Sequence, residues 1–344
     1  MDVFIKACKD GDVTVIRHLV SANNLSQHDV TEALREYSRD NGRTPRLSTD
    51  VMQCLLELGA DPSSLDIRGI STLDQLKLLS RYGFDIKRHG HLVLEDVVDS
   101  REALEWLLDQ GVDINQPDSK RTTGGVLVTG SGYDHSLGVL NNVAARGDID
   151  TFDWLVSRGA DPSLSRSLHH VPRIIDEDAS VGGKTEAMIN HLLDNHGFEV
   201  DKVKDEPLRK LGFDYQRIRD NGSPLNCSVV HKNMSALTAL LKRGADANGG
   251  PASDHAPAHT AITLRSPWLP ALAPLFEAGA DPTSALVQAV LSDNVDAARI
   301  CLEHGADVDA VKEEEKLTRE EQGVDEDDED FEFMSDEMRA VIEA

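Results

Sequence analysis

Aromatic side chains are scarce in this sequence, at 4% of 344 residues, so a core built around large rings is excluded. The interior must come from Leu, Val, Ile and Ala. No run of about eighteen apolar residues occurs, which argues against a membrane-spanning helix. The opening "MDVFIKACKDGD" lacks the basic stretch and apolar run of a secretory leader. Cysteine is limited to Cys8, Cys54, Cys227 and Cys301, far apart and without CxxC spacing. Their neighbours read as amphipathic helix, as buried thiols in a reducing compartment would be. An intracellular protein is expected, cytoplasmic rather than nuclear, since no Lys/Arg cluster reads as a nuclear import signal. Positive charge is also short: the net charge of −26 argues against direct contact with nucleic acid, whose phosphates are met by Lys and Arg. Residues 311–344 contribute −11 of it (fifteen acidic, four basic), leaving −15 for residues 1–310.

Against these absences stands a phrase that recurs. "LVSRGADPS" at 155–163 is echoed by "LLELGADPS" at 55–63, "LLKRGADAN" at 240–248, "LFEAGADPT" at 275–283 and "CLEHGADVD" at 301–309. Apolar residues precede each Gly at helical spacing; Ile149, Phe152, Leu155 and Val156 share one face. A helix that stops within one residue needs a left-handed conformation there, which Gly adopts without a Cβ clash. The Ala is small enough to tuck under a neighbour, and the Asp can cap the ensuing turn. The stop glycines are Gly59, Gly83, Gly111, Gly159, Gly197, Gly244, Gly279 and Gly305, with degraded copies at 83, 111 and 197. Their mean interval is near 35 residues, a period that points to stacked helical pairs.

The upstream half agrees. Ser223 of "SPLNCSVV" and Ser284 of "SALVQAV" each stand twenty-one residues before a stop glycine. Each is expected to cap the first helix of a pair, with Pro224 at the first helical position. "VAARGD" at 143–148 reads as the turn between the two helices. Together these residues resemble the ankyrin repeat, T-P-L-H-x-A followed by V-x-x-L-L-x-x-G-A-D, over most of residues 1–310, although the full T-P-L-H tetrad is absent. The resemblance implies an all-α ankyrin-repeat solenoid of about nine helix-turn-helix units with finger-loop insertions. The expected units lie near 1–24, 27–61, 62–86, 88–116, 134–163, 164–201, 220–249, 253–282 and 283–310. Asn23 stands in the first unit where Gly is expected. Only nine residues separate Pro62 from the second helix of the third unit, and Pro274 is expected to bend the second helix of the eighth.

Residues 116–137, rich in Gly, Thr and Ser, read as an enlarged finger. Their "TGSGYDHSLG" lacks a Walker Lys-Ser/Thr pair and breaks G-x-G-x-x-G spacing at Asp134–His135. Residues 199–221 mix Lys202, Lys204, Arg209, Lys210, Arg217 and Arg219 with acids, as a solvated segment does. The altered first helix of the sixth unit carries His169 and His170. Residues 311–344 read as an acidic, partly disordered tail, "DEDDEDFEF" included, ending in a short helix capped by Ser335. That helix suits a lid over the last unit, or a docking peptide.

No catalytic, metal or cofactor site is expected. G-x-S-x-G and H-E-x-x-H are absent. Asp134, His135 and Ser136 are consecutive and cannot face one another, and His169–His170 lack a third ligand at helical spacing. The expected function is a non-catalytic protein–protein interaction scaffold or adaptor, a monomer that grips a protein with a basic patch on a concave face. Candidate contact residues in the projecting turns are Ile67, Arg68, Gln116, Asp118, Lys120, Asn248 and Pro251. The alternative is a transcriptional co-regulator that binds a DNA-binding protein, for which the acids and interleaved Phe331 and Phe333 of the tail would serve.

Overall fold

The computed structural model describes residues 2–38, 48–65, 67, 70–116, 138–175, 183–202, 222–249, 256–322 and 333–343. Among them the regular structure is helical, with no strand. None of the described helices is long and apolar enough to cross a membrane. The chain forms two compact units: Met1–Asn142 with Asp153–Ser165, and Val143–Phe152 with Arg166–Ala344.

The first unit contains α1 (Asp2–Asp10), α2 (Val13–Ala22), α3 (Gln27–Ser38), α4 (Thr49–Glu57), α5 (Leu73–Arg81), α6 (Ile86–His89) and α7 (Arg101–Asp109). Helix α1 packs on α2 and α3, α2 on α4, and α4 on α5, which in turn meets α7. Where the third pair should begin, the described residues form a 3₁₀ turn, Pro62–Ser64, with Leu65, Ile67 and Ile70 buried after it. Nine residues are too few for a helix and two turns, so three apolar side chains fill the space. The fourth pair likewise opens with the four-residue α6 and a 3₁₀ turn, Gly90–Val93. Gly90 has ordinary helical dihedrals, yet a Cβ on it would lie 2.6 Å from a methyl of Val112. It is a close-approach glycine rather than a turn glycine.

Helices α8 (Gly138–Ala144) and α9 (Ile149–Ser157) follow, and the division between the units runs through both. The second unit continues with α10 (Ser167–His170), α11 (Lys184–Asn195), α12 (Pro224–Val230), α13 (Met234–Lys242), α14 (Pro257–Thr263), α15 (Leu272–Glu277), α16 (Pro282–Leu291), α17 (Val295–Glu303), α18 (Asp309–Gln322) and α19 (Asp336–Ile342). Consecutive first helices pack on one another, in the order α10, α12, α14, α16, α18. The second helices do so between α11 and α13, between α15 and α17, and between α17 and α19. Residues 309–322 and 336–342 therefore occupy the positions of one more pair, with Val311 and Met338 buried. Ser335 caps α19 as its spacing suggests, and its hydroxyl also donates to Asp293 at 2.6 Å.

The paired helices meet at tight reversals, where "VAARGD" reads as expected. Gly147 has φ +66°, and Asp148 N–H reaches back to Val143 O at 3.3 Å. Gly11, Lys232 and Asp293 hold the same left-handed place in their pairs, and Asp12, Asp148, Asn233 and Asn294 then cap the second helix. Asn and Asp are the side chains that serve best at both tasks.

Three local expectations are corrected. Asn24, with φ +48°, takes the left-handed position after α2, while Asn23 stays at φ −101°. Ser284 lies inside α16, whose cap is Asp281. Pro274 sits in the first turn of α15, because Leu269–Ala271 forms a 3₁₀ turn and the helix begins only at Leu272. A proline there removes an N–H that had no partner in any case, so no helical bond is lost.

Candidate functional site

Seven of the eight stop glycines end their helices with one hydrogen-bond design. At Gly59, which has φ +93°, the Gly N–H donates to Leu56 O and the next N–H, of Ala60, to Leu55 O, both at 3.0 Å. The same pair of bonds recurs at Gly83, Gly111, Gly159, Gly244, Gly279 and Gly305. This satisfies carbonyls that a helix end leaves orphaned. The Asp two residues after the glycine then folds back on the turn. Asp61 accepts from Ser63 N–H, Asp161 from Ser163 and Asp281 from Thr283, each at 2.9 Å.

The backbone N–H of that Asp points elsewhere, to a side chain 24–46 residues earlier in the chain. Asp61 donates to Thr31 Oγ1, Asp161 to Asn115 Oδ1, Asp246 to Asp201 Oδ1, Asp281 to Asn248 Oδ1 and Asp307 to Thr283 Oγ1, at 2.9–3.1 Å. The two asparagines close a second bond with their amides: Asn115 to Gly159 O at 2.8 Å and Asn248 to Gly279 O at 3.2 Å. Each of these turns is thus clipped to an earlier segment of the chain, a helix at Thr31 and a turn or helix start in the others. Asp201 fills this role with a carboxylate that burial pushes above its ordinary range, against the pull of the Asp246 N–H.

This arrangement redefines the candidate contact residues. Ile67 is 3% exposed and belongs to the core, so its side chain is not a surface contact. Asn248 is exposed, but both ends of its amide are engaged in the clip to Gly279 and Asp281. Gln116 is exposed beside Asn115 and remains on the surface of its turn. Arg68, Asp118, Lys120 and Pro251 lie outside the described residues, as do Asp134, His135 and Ser136. His169 is buried within α10.

In the second unit, residues 172–175 and 231–235 line a shallow concavity of about 420 Å³. Its floor is fixed by Asn233, whose amide donates to Pro172 O at 3.1 Å and Ile174 O at 3.0 Å while its oxygen caps α13. Ile175, 86% exposed, and Met234, 36% exposed, give its rim an apolar character. Burial, with Arg173 adding to it, holds the His231 imidazole below its ordinary pKa. Nearby in sequence, His259 bridges first helices by bonding to Ser284 Oγ at 2.8 Å, and burial lowers its pKa too.

One pairing escaped the sequence reading. His191 on α11 and His196 at its end bring their Nε2 atoms to 3.2 Å, with the Phe152 ring edge-on to His196. Five residues apart on a regular helix, the two would face apart. The signal was the extra residue in "LLDNHG" between the Leu pair and Gly197.

Compared with known proteins, the chain matches no family model and no curated protein sequence.

Proposed function

We infer that the chain is a non-catalytic protein-binding scaffold, made of stacked helix pairs similar to ankyrin repeats and presenting its turns to a protein partner. The observation that carries this reading is the division of labour within each turn. The glycine stop, the Asp and the clip from an earlier side chain are held constant by hydrogen bonds. The residues that follow the Asp vary: "PSS" at 62–64, "PSL" at 162–164 and "VD" at 308–309 are at least partly exposed, whereas 114–115 and 247–248 hold a buried Ile114 or Ala247 beside the clip asparagine. A fixed frame with variable exposed tips is how loop-borne recognition is built on rigid scaffolds. The excess of 61 acidic over 35 basic residues favours a partner with a basic face, through faster encounter rather than large affinity. In this reading the chain is an intracellular monomer.

The test is capture on the immobilised full chain, followed by carbodiimide cross-linking of its carboxylates to lysines of what is retained. A scaffold of this kind gives cross-links concentrated on turn residues such as Asp113, Asp161 and Asp246. Nothing retained beyond an acidic control protein of similar charge would remove the reading.

A further inference from the structure

The helix stop at Gly197 departs from the other seven by a single residue. Here the amide after the glycine, Phe198 N–H, reaches six residues back to Leu192 O at 3.3 Å, where the others reach five. The added residue is His196, which leaves the helical path at φ −119° while its own N–H stays bonded to Leu192 O. That departure swings its ring back over α11. The His191 and His196 ring centroids come to 5.0 Å at an interplanar angle of 66°, and Phe152 packs against the second ring at 5.0 Å. The insertion does not improve the stop. What it achieves is the juxtaposition of two imidazoles.

We propose that His191 and His196 form a binding site for a divalent transition cation, zinc fitting best, with both Nε2 atoms as ligands. Zn–N bonds of about 2.0–2.1 Å in a tetrahedral shell set neighbouring nitrogens roughly 3.3–3.4 Å apart. The two Nε2 atoms are already at 3.2 Å, so little ring movement separates the metal-free pair from the ligand spacing. Neutral imidazole is the preferred donor for this class of ion, and both rings are half-buried, which limits the rotamer freedom lost on binding. Asn195 supplies the outer support. Its amide lies 2.8 Å from His191 Nδ1. With the amide turned so that its oxygen faces the ring, it accepts the Nδ1 proton and keeps Nε2 the unprotonated, ligating nitrogen, as hydrogen-bond partners of ligating histidines do. The ion replaces the shared proton between the rings and pins the end of α11 to its own last turns. The pair fills two positions of a four-coordinate shell.

The experiment is a zinc titration of the full chain by calorimetry, with diethyl pyrocarbonate footprinting of all thirteen histidines read by peptide mass spectrometry. The expected result is one zinc bound per chain, with His191 and His196 protected from modification while exposed rings are not. His191→Gln and His196→Gln are each expected to weaken zinc binding by about tenfold or more, with the helical circular dichroism retained. Binding of unchanged strength in both variants would assign the zinc to surface carboxylates and overturn the proposal. Equal modification of the two rings with and without zinc would overturn it as well.

Discussion

Replacing Asn248 by Ala separates two roles for one residue. As a partner contact, Asn248 would contribute nothing to stability, and exposed substitutions away from special features usually stay within about 0.5 kcal/mol. As a clip, its amide holds Gly279 O and Asp281 N–H, two backbone groups 31 and 33 residues further along. A net hydrogen bond contributes about 0.5–1.5 kcal/mol. Both backbone partners lie in exposed residues, so water recovers part of the loss and the lower half of that range applies. Two bonds at roughly 0.5–1 kcal/mol each give a loss of about 1–2 kcal/mol for Asn248→Ala. Asn248→Asp keeps the acceptor and removes the donor, and is expected to lose about half as much. Asn115→Ala, with shorter bonds of 2.8 and 2.9 Å, should cost at least as much as Asn248→Ala. Urea unfolding followed by far-ultraviolet circular dichroism measures this as a shift in midpoint at constant slope. A loss under about 0.3 kcal/mol for both asparagines, with capture of a partner abolished, would refute the clip and restore Asn248 as a contact residue.

Other perturbations follow from the same geometry. Gly90→Ala drives a methyl into Val112 and Leu107 and is expected to cost about 1–3 kcal/mol by overpacking, read from the same unfolding curves. His259 is held neutral by burial, so the unfolded chain binds more protons as pH falls below about 6.5. Stability should therefore rise from about pH 5 to 7, less steeply in His259→Gln, and an unchanged slope in that variant would exclude His259 as its source. Burial pushes the Cys8 and Cys301 thiols up to about 12, so neither should react with Ellman's reagent at pH 8 until urea unfolds the chain.

The helix stops were legible because one residue type at one position decides them: only Gly takes φ near +90° freely, and the apolar pair upstream fixes the register. Caps at Asp61, Asp161 and Ser223 were legible for the same local reason. Features set by distant chain were not. Nothing around Asn248 in sequence announces Gly279 and Asp281. Gly90 looks like any glycine until Val112 is brought against it. Pro274 misled because the start of α15 depends on the 3₁₀ turn before it, and Ser284 because Asp281 caps three residues earlier. Of the candidate contacts, Ile67 sits where a projecting tip belongs in a full repeat, but the shortened third pair draws it inward.

The most direct measurement is residue-resolved amide hydrogen exchange at the first N–H after each of the seven stop glycines that share the design: Ala60, Phe84, Val112, Ala160, Ala245, Ala280 and Ala306. Each donates back five residues into its helix, so all seven should be protected to nearly the level of the helices they close. Exchange at the rate of open loop amides at most of these positions would contradict a frame built from repeated, hydrogen-bonded helix stops.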